Sequence, residues 1–309
     1  MVHMDLKKRL RKFVLKEQKL DFFGVAPVDR FKYAPEGHRP EDLLAGAKSV
    51  ISIGARILKG VREAALKVQY EGFPRYLIYS YLWYGYSVLN WLILDRIAYL
   101  VANLLERRGY AALPIPSSGA EWKIEEGGTR VFGQFSNRHA AVAAGLAEFG
   151  LNRLALNPIT GPRARWVSVI TTAELEPDPL YDGPRICRPD VCSKLCKEKF
   201  GAQRPICHHA CPVNAFLTNR MKEVIIGDKV YHYPDMDMVK CAWVSASGSI
   251  SNIVVVPENV KTFEDIGKEI ARHGDPIVQW EMRFAHRANY CGRCVNLCPS
   301  PNFEISSIV

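Results

Sequence analysis

The nine cysteines of this 309-residue chain all lie in its last 123 residues, in two segments with one isolated cysteine between them. Their spacing is Cys187-x4-Cys192-x3-Cys196-x10-Cys207-x3-Cys211-Pro212, then Cys241, then Cys291-x2-Cys294-x3-Cys298-Pro299. Both segments end in a Cys-Pro pair, and such short spacings let one loop supply several corners of an iron–sulfur cluster. Proline lacks an N–H and turns the chain out of a helical path. The pattern therefore predicts two [4Fe–4S] clusters and electron transfer.

The Cys-Pro pairs also predict how the cysteines divide between the two clusters. In two-cluster ferredoxins the cysteine before the proline ligates the other cluster. By that rule Cys211 crosses to cluster II and Cys298 crosses to cluster I, so cluster I takes three of Cys187, Cys192, Cys196 and Cys207. Cys207 has the ferredoxin spacing to the Cys-Pro pair, and Cys192 and Cys196 are its preferred companions. Cys241 is the candidate for the missing ligand of cluster II, which leaves Cys187 as the spare cysteine. The predicted ligands are Cys192, Cys196, Cys207 and Cys298 for cluster I, and Cys211, Cys241, Cys291 and Cys294 for cluster II.

Zinc and disulfides are the competing uses of these cysteines. Zinc sites pair short Cys spacings without a Cys-Pro crossover and often add histidine, for which His208 and His209 stand beside Cys207. An odd number of cysteines in a chain of this size does not resemble a small disulfide-bonded scaffold. Residues 1–18 are basic and amphipathic and lack the apolar stretch of an export signal. A reducing, cytoplasmic location is therefore expected.

The bulk composition is that of a soluble globular protein, with 48% hydrophobic and 24% charged residues. The formal net charge of +9 would suit an acidic partner such as a phosphorylated substrate, a nucleic acid or an electron donor, although ordinary solubility charge explains it as well. Tyr76–Leu94 contains no charged residue and is long enough to span a bilayer. Its five tyrosines favour a long buried helix instead, so no membrane span is expected.

Strand and helix patterns alternate through the cysteine-free part of the chain, which predicts an α+β fold. A segment rich in Pro, Asp and Gly at Glu174–Pro184 marks the expected boundary, giving a cofactor and substrate domain at 1–180 and an iron–sulfur domain at 181–309. The predicted strands are Phe22–Ala26, Ser49–Ile57, Tyr110–Ile115 and Arg165–Thr171, with a hairpin around Gly227. The predicted helices are Met4–Lys19, Arg75–Arg108, Asn137–Phe149 and Ile266–His273.

Two features resemble the epoxyqueuosine reductase and reductive dehalogenase group of corrinoid iron–sulfur proteins. One is the stretch Arg138–Asp178, with its arginine, small residues, Ala-Gly-Leu, Gly turn and apolar strands. The other is the layout of the cysteines, including the isolated Cys241. The resemblance covers roughly residues 130–300.

The resemblance implies a nitroreductase-like cofactor-binding domain followed by a ferredoxin-like module with two [4Fe–4S] clusters. It implies a bound cobalamin, with a flavin as the alternative, reduced by a low-potential donor such as ferredoxin or flavodoxin and acting on a small-molecule substrate. The residues that it would place at this cofactor are Arg138, Gly145, Gly150 and Gly161.

Two departures from that family weaken the case for a tRNA substrate. Epoxyqueuosine reductases carry an aspartate seven residues before the arginine that matches Arg138, and this chain has Val131 there. The C-terminal helical-repeat domain of those enzymes is also absent, so no nucleic-acid partner is expected. The leading hypothesis is an iron–sulfur oxidoreductase. The alternatives are an electron-transfer or reductive-activation protein without substrate chemistry and, more weakly, a tRNA-modifying reductase.

A reduction also needs a proton donor, and tyrosine is the expected residue type. The candidates are Tyr79, Tyr81, Tyr84 and Tyr86, all in the long helical segment.

Overall fold

The fold was analysed in a computed structural model that describes residues 2–73, 75–118, 123–124, 131–246, 255–273 and 291–303. Its centre is a four-stranded antiparallel sheet in the order β1–β2–β8–β3. These strands are β1 (Phe22–Pro27), β2 (Ser49–Arg56), β3 (Ala112–Ile115) and β8 (Ala164–Thr171). The four strands predicted from the sequence are confirmed. The antiparallel sheet makes the fold a mixed α/β one, of the α+β kind.

Short strand pairs and one long hairpin complete the β structure. The short strands are β4 (Lys123–Ile124), β5 (Val131–Phe132), β6 (Glu148–Phe149) and β7 (Ala155–Leu156). The hairpin consists of β9 (Phe216–Ile226) and β10 (Lys229–Met236). It turns at Gly227, as predicted, where φ is +60°. Both of its strands extend further than the apolar residues beside the turn had indicated.

The helices of the first 180 residues pack on the sheet. They are α1 (Val2–Lys12), α2 (Pro40–Leu43), α3 (Lys59–Tyr70), α4 (Tyr79–Leu82), α5 (Asp95–Glu106) and α6 (Asn137–Ala143). A π-helical turn, Phe13–Glu17, continues α1. The predicted helix Asn137–Phe149 is wrong in its second half, because Gly145 adopts a φ of +72° and the chain then enters β6.

A π-helical segment, Trp83–Leu94, joins α4 to α5 and forms one long helix with them. By length and composition, Tyr79–Glu106 could cross a membrane. Tyr81, Leu94 and Leu105 on this helix are fully buried in the same apolar core as strands β1, β2 and β8. It is therefore packed as a core helix, as its tyrosine content predicted.

The remaining helices follow residue 180. They are α7 (Pro189–Phe200), α8 (Ile206–His209), α9 (Met238–Ala246), α10 (Phe263–His273) and α11 (Arg293–Asn296). The predicted cap of α10 is present, since Asp265 accepts from the N–H of Thr262 at 2.8 Å.

The apolar cores cross the expected boundary at residue 180. Val295 of α11 is buried in the core of the sheet and the long helix. Ile226 and Tyr233 of the hairpin are buried in the core that surrounds α6. The division into domains at 1–180 and 181–309 stays a prediction. Residues after 180 share apolar cores with residues before it.

Candidate functional site

Four cysteines from both cysteine segments surround one cavity, which we call group I. They are Cys187, Cys192 on α7, Cys207 on α8, and Cys298 just after α11. The cavity has a volume of about 340 Å³, open space at its mouth included. Cys192, Cys207 and Cys298 are buried, whereas Cys187 is partly exposed. The predicted crossing of Cys298 to the first segment is thus matched by its position.

Backbone amides already point at two thiols of group I. The N–H of Ile206 donates to Sγ of Cys192 at 3.3 Å, and the N–H of Leu151 donates to Sγ of Cys187 at 3.4 Å. Burial raises the pKa of Cys192 to about 12, and the neighbouring Cys298 and Cys187 add to the increase. Such crowding of thiols disfavours several negative charges in the absence of a metal. A bound cluster would remove that penalty, because its iron ions neutralise the thiolates.

Cys196 does not line the cavity of group I. It follows Cys192 by one helical turn on α7, is fully buried, and packs with Leu66, Ile206 and Leu297. The sequence had made Cys196 a ligand and Cys187 the spare cysteine. That choice stays a prediction, but the cavity favours the opposite one, with Cys187 as the fourth corner.

The other four cysteines form a second assembly, group II, made of Cys211, Cys241, Cys291 and Cys294. Burial raises the pKa of Cys294, and Cys291, Cys241 and Cys211 are near enough to raise it further. Burial also raises the pKa of Cys241 to about 12, with Cys291 and Cys211 again contributing. Group II therefore collects the four cysteines that were predicted from the sequence for cluster II.

The two groups are neighbours. Cys298 of group I is among the residues that raise the pKa of Cys294, and Cys294 in turn raises that of Cys207. These thiols belong to different groups but influence one another. Groups I and II therefore lie side by side.

Buried donors beside group II fit an anionic cluster. Arg293 is 7% exposed, and its Nε and Nη2 have no hydrogen-bond partner in the described part of the chain. The Nδ2 of the fully buried Asn296 is likewise unpaired there. The guanidinium group of Arg293 opposes the increase in the pKa of Cys291. A cluster with four thiolates carries net negative charge, which these groups would compensate.

The histidines that could have supported zinc lie elsewhere. The ring of His208 stacks on Phe216 with 4.5 Å between centroids, and that of His209 stacks on Phe200 at 4.6 Å. Neither lines the cavity. Within the described residues, no three His, Cys, Asp or Glu side chains converge to hold a single metal ion.

Two arginines from the sheet region hold the second cysteine segment. Arg163 Nη1 donates to the carbonyl of Cys298 at 2.8 Å, and its Nη2 donates to the carbonyl of Ser300. Arg62 Nε donates to the carbonyl of Asn296 at 2.7 Å. Burial lowers the pKa of Arg163 to about 10, and the nearby Cys298 opposes this decrease. Both arginines thus bring positive charge to the Cys298 side of group I.

Tyr81 connects group II with the N-terminal half. It is fully buried, and a Cβ at Gly292 would overlap its hydroxyl. Arg165 Nη2 donates to that hydroxyl at 3.4 Å. Burial raises the pKa of Tyr81, and Arg165 opposes the increase. Tyr81 and Arg165 therefore lie beside Cys291 and Cys294 of group II. The sequence did not predict this arrangement.

Tyr86 shares the same arginine. The guanidinium carbon of Arg165 lies 4.9 Å from the centroid of the Tyr86 ring, and the hydroxyls of Tyr86 and Ser118 are 2.5 Å apart. Of the other predicted tyrosines, Tyr84 is exposed and Tyr79 is partly buried. The geometry therefore selects Tyr81 and Tyr86 from the four candidates.

The glycines expected to face a corrin are occupied by the chain itself. A Cβ at Gly145 would overlap the carbonyl oxygen of Pro179, and one at Gly161 would overlap that of Ser300. A Cβ at Gly150 would meet the side chain of Leu156. These close approaches explain why glycine stands there. The three positions do not form an open cradle for a flat macrocycle.

Arg138 also contacts the chain. Its Nη1 donates to the carbonyl of Arg153, whose guanidinium group lies 3.7 Å from the carboxylate of Asp235 and opposes the increase in the pKa of Cys241. Burial lowers the pKa of Arg138. Arg138 therefore positions a second arginine beside group II.

Solved structures of epoxyqueuosine reductases and reductive dehalogenases are similar to this chain, at low sequence identity. One match is a variant of the catabolic reductive dehalogenase NpRdhA, with 17% sequence identity and a TM-score of 0.50. The match covers 90% of this chain and 35% of the dehalogenase chain. Another is epoxyqueuosine reductase from Bacillus subtilis, with 14% sequence identity and a TM-score of 0.45. That match covers 96% of this chain and 68% of the reductase chain.

A third match is an epoxyqueuosine reductase in complex with a modified tRNA stem loop, with 16% identity and a TM-score of 0.44. It covers 85% of this chain and 66% of that chain. The chain thus spans just under two thirds of that reductase and about a third of the dehalogenase. No protein-family model and no curated protein matches the sequence. The likeness concerns the fold.

Proposed function

We propose that this protein is an iron–sulfur oxidoreductase that carries two [4Fe–4S] clusters. Group I would hold one cluster through Cys187, Cys192, Cys207 and Cys298, and group II the other through Cys211, Cys241, Cys291 and Cys294. The observation that carries the proposal is the cavity lined by four cysteines from two distant segments. Its structural neighbours are reductases, which supports the same class.

Bound clusters would supply one-electron transfer between the two groups. The protein contributes the arrangement of the two groups and the charge around them. Cys294 and Cys298 belong to one short segment, so a single helical turn links the two groups. Arg163 and Arg62 fix that segment, and Arg293 places a buried positive charge beside group II. Free thiolates and oxygen-sensitive clusters suit a reducing cytoplasm.

Electrons would leave group II toward the N-terminal half, where a small-molecule substrate is reduced. Tyr81 lies on that side of group II, and Arg165 stabilises negative charge on its hydroxyl. Tyr81 would therefore hold the proton that accompanies the electrons, with Tyr86 and Ser118 extending the path. A cobalamin or a flavin is the proposed electron acceptor. Because other parts of the chain pack directly against Gly145, Gly150 and Gly161, these glycines would not be the site that holds it.

The same occupied glycines favour a second candidate function. In this second function the protein would transfer electrons, or reactivate a corrinoid held by another protein, without substrate chemistry of its own. Cofactor uptake separates the two functions. Anaerobically reconstituted protein is incubated with cobalamin or flavin, and stoichiometric retention after gel filtration supports the reductase. Retention of neither, with clusters that still cycle between redox states, supports the carrier.

The clusters themselves are tested by metal analysis. Anaerobic purification should give a brown protein with about eight irons and eight sulfides per chain. A colourless protein that holds zinc alone would refute both functions.

A further inference from the structure

Exposed basic side chains are concentrated in residues 185–204, the segment that carries Cys187 and Cys192 of group I, and we call them the basic rim. Between residues 185 and 204 the chain has six basic residues against two acidic ones, Asp190 and Glu198. The members of the basic rim used here are Arg185, Arg188, Lys194, Lys197 and Arg204, all of them exposed.

The basic rim begins at the cavity of group I and continues along α7. Arg188 and Pro189 line the cavity together with the group I thiols. On α7, Cys192 is buried toward the cavity, whereas Lys194 and Lys197 of the same helix are exposed. Cys187, the most exposed member of group I, is flanked by Arg185 and Arg188. Group I therefore reaches the surface at Cys187 and Arg188, where the basic rim begins.

Much of the positive charge on the basic rim faces solvent without a neutralising partner. On other helices of this protein, exposed lysine and glutamate side chains one helical turn apart form ion pairs, as Lys59–Glu63 and Lys268–Glu264 do. Lys194 and Glu198 have the same spacing, yet in the described residues neither Lys194 nor Lys197 lies within 4.0 Å of a carboxylate. Unpaired surface charge of one sign attracts and orients a partner of the opposite sign.

We propose that the basic rim is the docking site of an acidic one-electron carrier protein that reduces the cluster of group I. The inference rests on the proposed function, because it needs a cluster there. In each encounter the carrier loses one electron and the cluster gains it, while no bond forms or breaks. Group I is then the entry point, and group II, which contacts Tyr81, is the exit toward the N-terminal half.

The test measures electron transfer from a reduced acidic [2Fe–2S] ferredoxin to the anaerobically reconstituted full chain by stopped-flow absorbance. Neutralising the basic rim with Lys194→Gln and Lys197→Gln should lower the second-order rate constant about tenfold at low salt and flatten its salt dependence. Lys8→Gln with Lys12→Gln, two exposed lysines one turn apart on α1, is the matched control and should stay within about twofold of wild type. Reduced methyl viologen, a cation, should reduce the rim variant at least as fast as wild type.

An iron-loaded rim variant that reacts with the ferredoxin as fast as wild type overturns the docking site alone. A chain that takes up no iron overturns the proposed function instead. If the double variant loses its clusters, the wild-type protein decides, since its rate with ferredoxin must fall as salt rises. Salt-sensitive tRNA binding that disappears in the rim variant, with an unchanged ferredoxin rate, would assign the surface to nucleic acid and overturn the proposal.

Discussion

Arg163, one residue before strand β8, donates a 2.8 Å hydrogen bond to the backbone carbonyl of Cys298, which lies 135 residues later in the chain. The same guanidinium group donates to the carbonyl of Ser300. One side chain of the sheet therefore fixes the loop that carries the crossing cysteine. This contact joins the central sheet in the first half of the chain to the proposed cluster ligands in the second half.

Replacement of Arg163 should release that loop. Arg163→Leu leaves two buried carbonyls without donors, which we expect to cost about 2–4 kcal/mol in the free energy of unfolding. The cluster at group I should be lost in preference to that at group II, so about half of the iron disappears. Iron content and urea unfolding measure the two effects. Arg107→Leu, at an exposed position, is the control, and equal iron in both variants would contradict the role of Arg163.

The crossing of Cys298 makes a prediction about which cluster a mutation removes. Cys298→Ala should destroy the cluster held by Cys187, Cys192 and Cys207 and preserve that at its sequence neighbours Cys291 and Cys294. About four irons per chain should remain. Electron paramagnetic resonance of the reduced variant should show one cluster without the magnetic coupling expected for the pair in wild type. Loss of the group II signal instead would refute the crossing.

The spare cysteine can be identified by a matched pair of variants. Cys187→Ala should lose about half of the iron, whereas Cys196→Ala should keep about eight irons per chain, because Cys196 lies outside the cavity. Cys196→Ala should still cost stability, since the residue is fully buried. The reverse iron contents would restore the assignment made from spacing alone.

Arg293 should set the midpoint potential of the group II cluster. Its buried positive charge stabilises the added electron, so Arg293→Met should lower that potential while leaving the potential of group I nearly unchanged. Arg293→Lys keeps the charge and should lie closer to wild type. A redox titration monitored by electron paramagnetic resonance gives both values. A potential that stays the same in Arg293→Met would exclude this role.

His139 predicts how stability depends on pH. Burial lowers its pKa to about 3, and the nearby Arg138 and Arg153 act in the same direction. An unfolded chain binds a proton at this histidine below about pH 6.5, and the folded chain does not. The contribution of neutral His139 is therefore complete above about pH 6.5 and is lost as the pH falls toward 3, by at most about 1.4 kcal/mol per pH unit.

Urea unfolding at pH 7 and pH 5 tests this dependence. His139→Gln should lose less stability than wild type between the two values, while the exposed His232→Gln should behave like wild type. Identical losses in His139→Gln and wild type would show that the histidine does not contribute.

Local features of the sequence predicted local structure well. Gly227 predicted the hairpin turn, and the capping box Thr262–Asp265 predicted the start of α10. Both features depend only on neighbouring residues. The end of α6 was missed, since the small residues around Gly145 fit a helix equally well until its backbone angle is known.

Contacts between distant residues could not be predicted in this way. Arg165 meets Tyr81 across 84 positions, and Arg163 meets Cys298 across 135. Neither pair has a spacing or motif that marks it. The choice of Cys196 over Cys187 as a ligand stays a prediction from spacing, and the position of Cys187 at the cavity favours the opposite choice.

The arginine link between β8 and Cys298 has a consequence for oxygen damage. If oxygen destroyed the proposed cluster at group I, the Cys298 loop would lose its metal attachment, and the hydrogen bonds of Arg163 and Arg62 would remain to hold it. A damaged molecule would then loosen at the start of a central strand as well as at the cysteines. Loss of the proposed cluster would in this way reach the central sheet through Arg163.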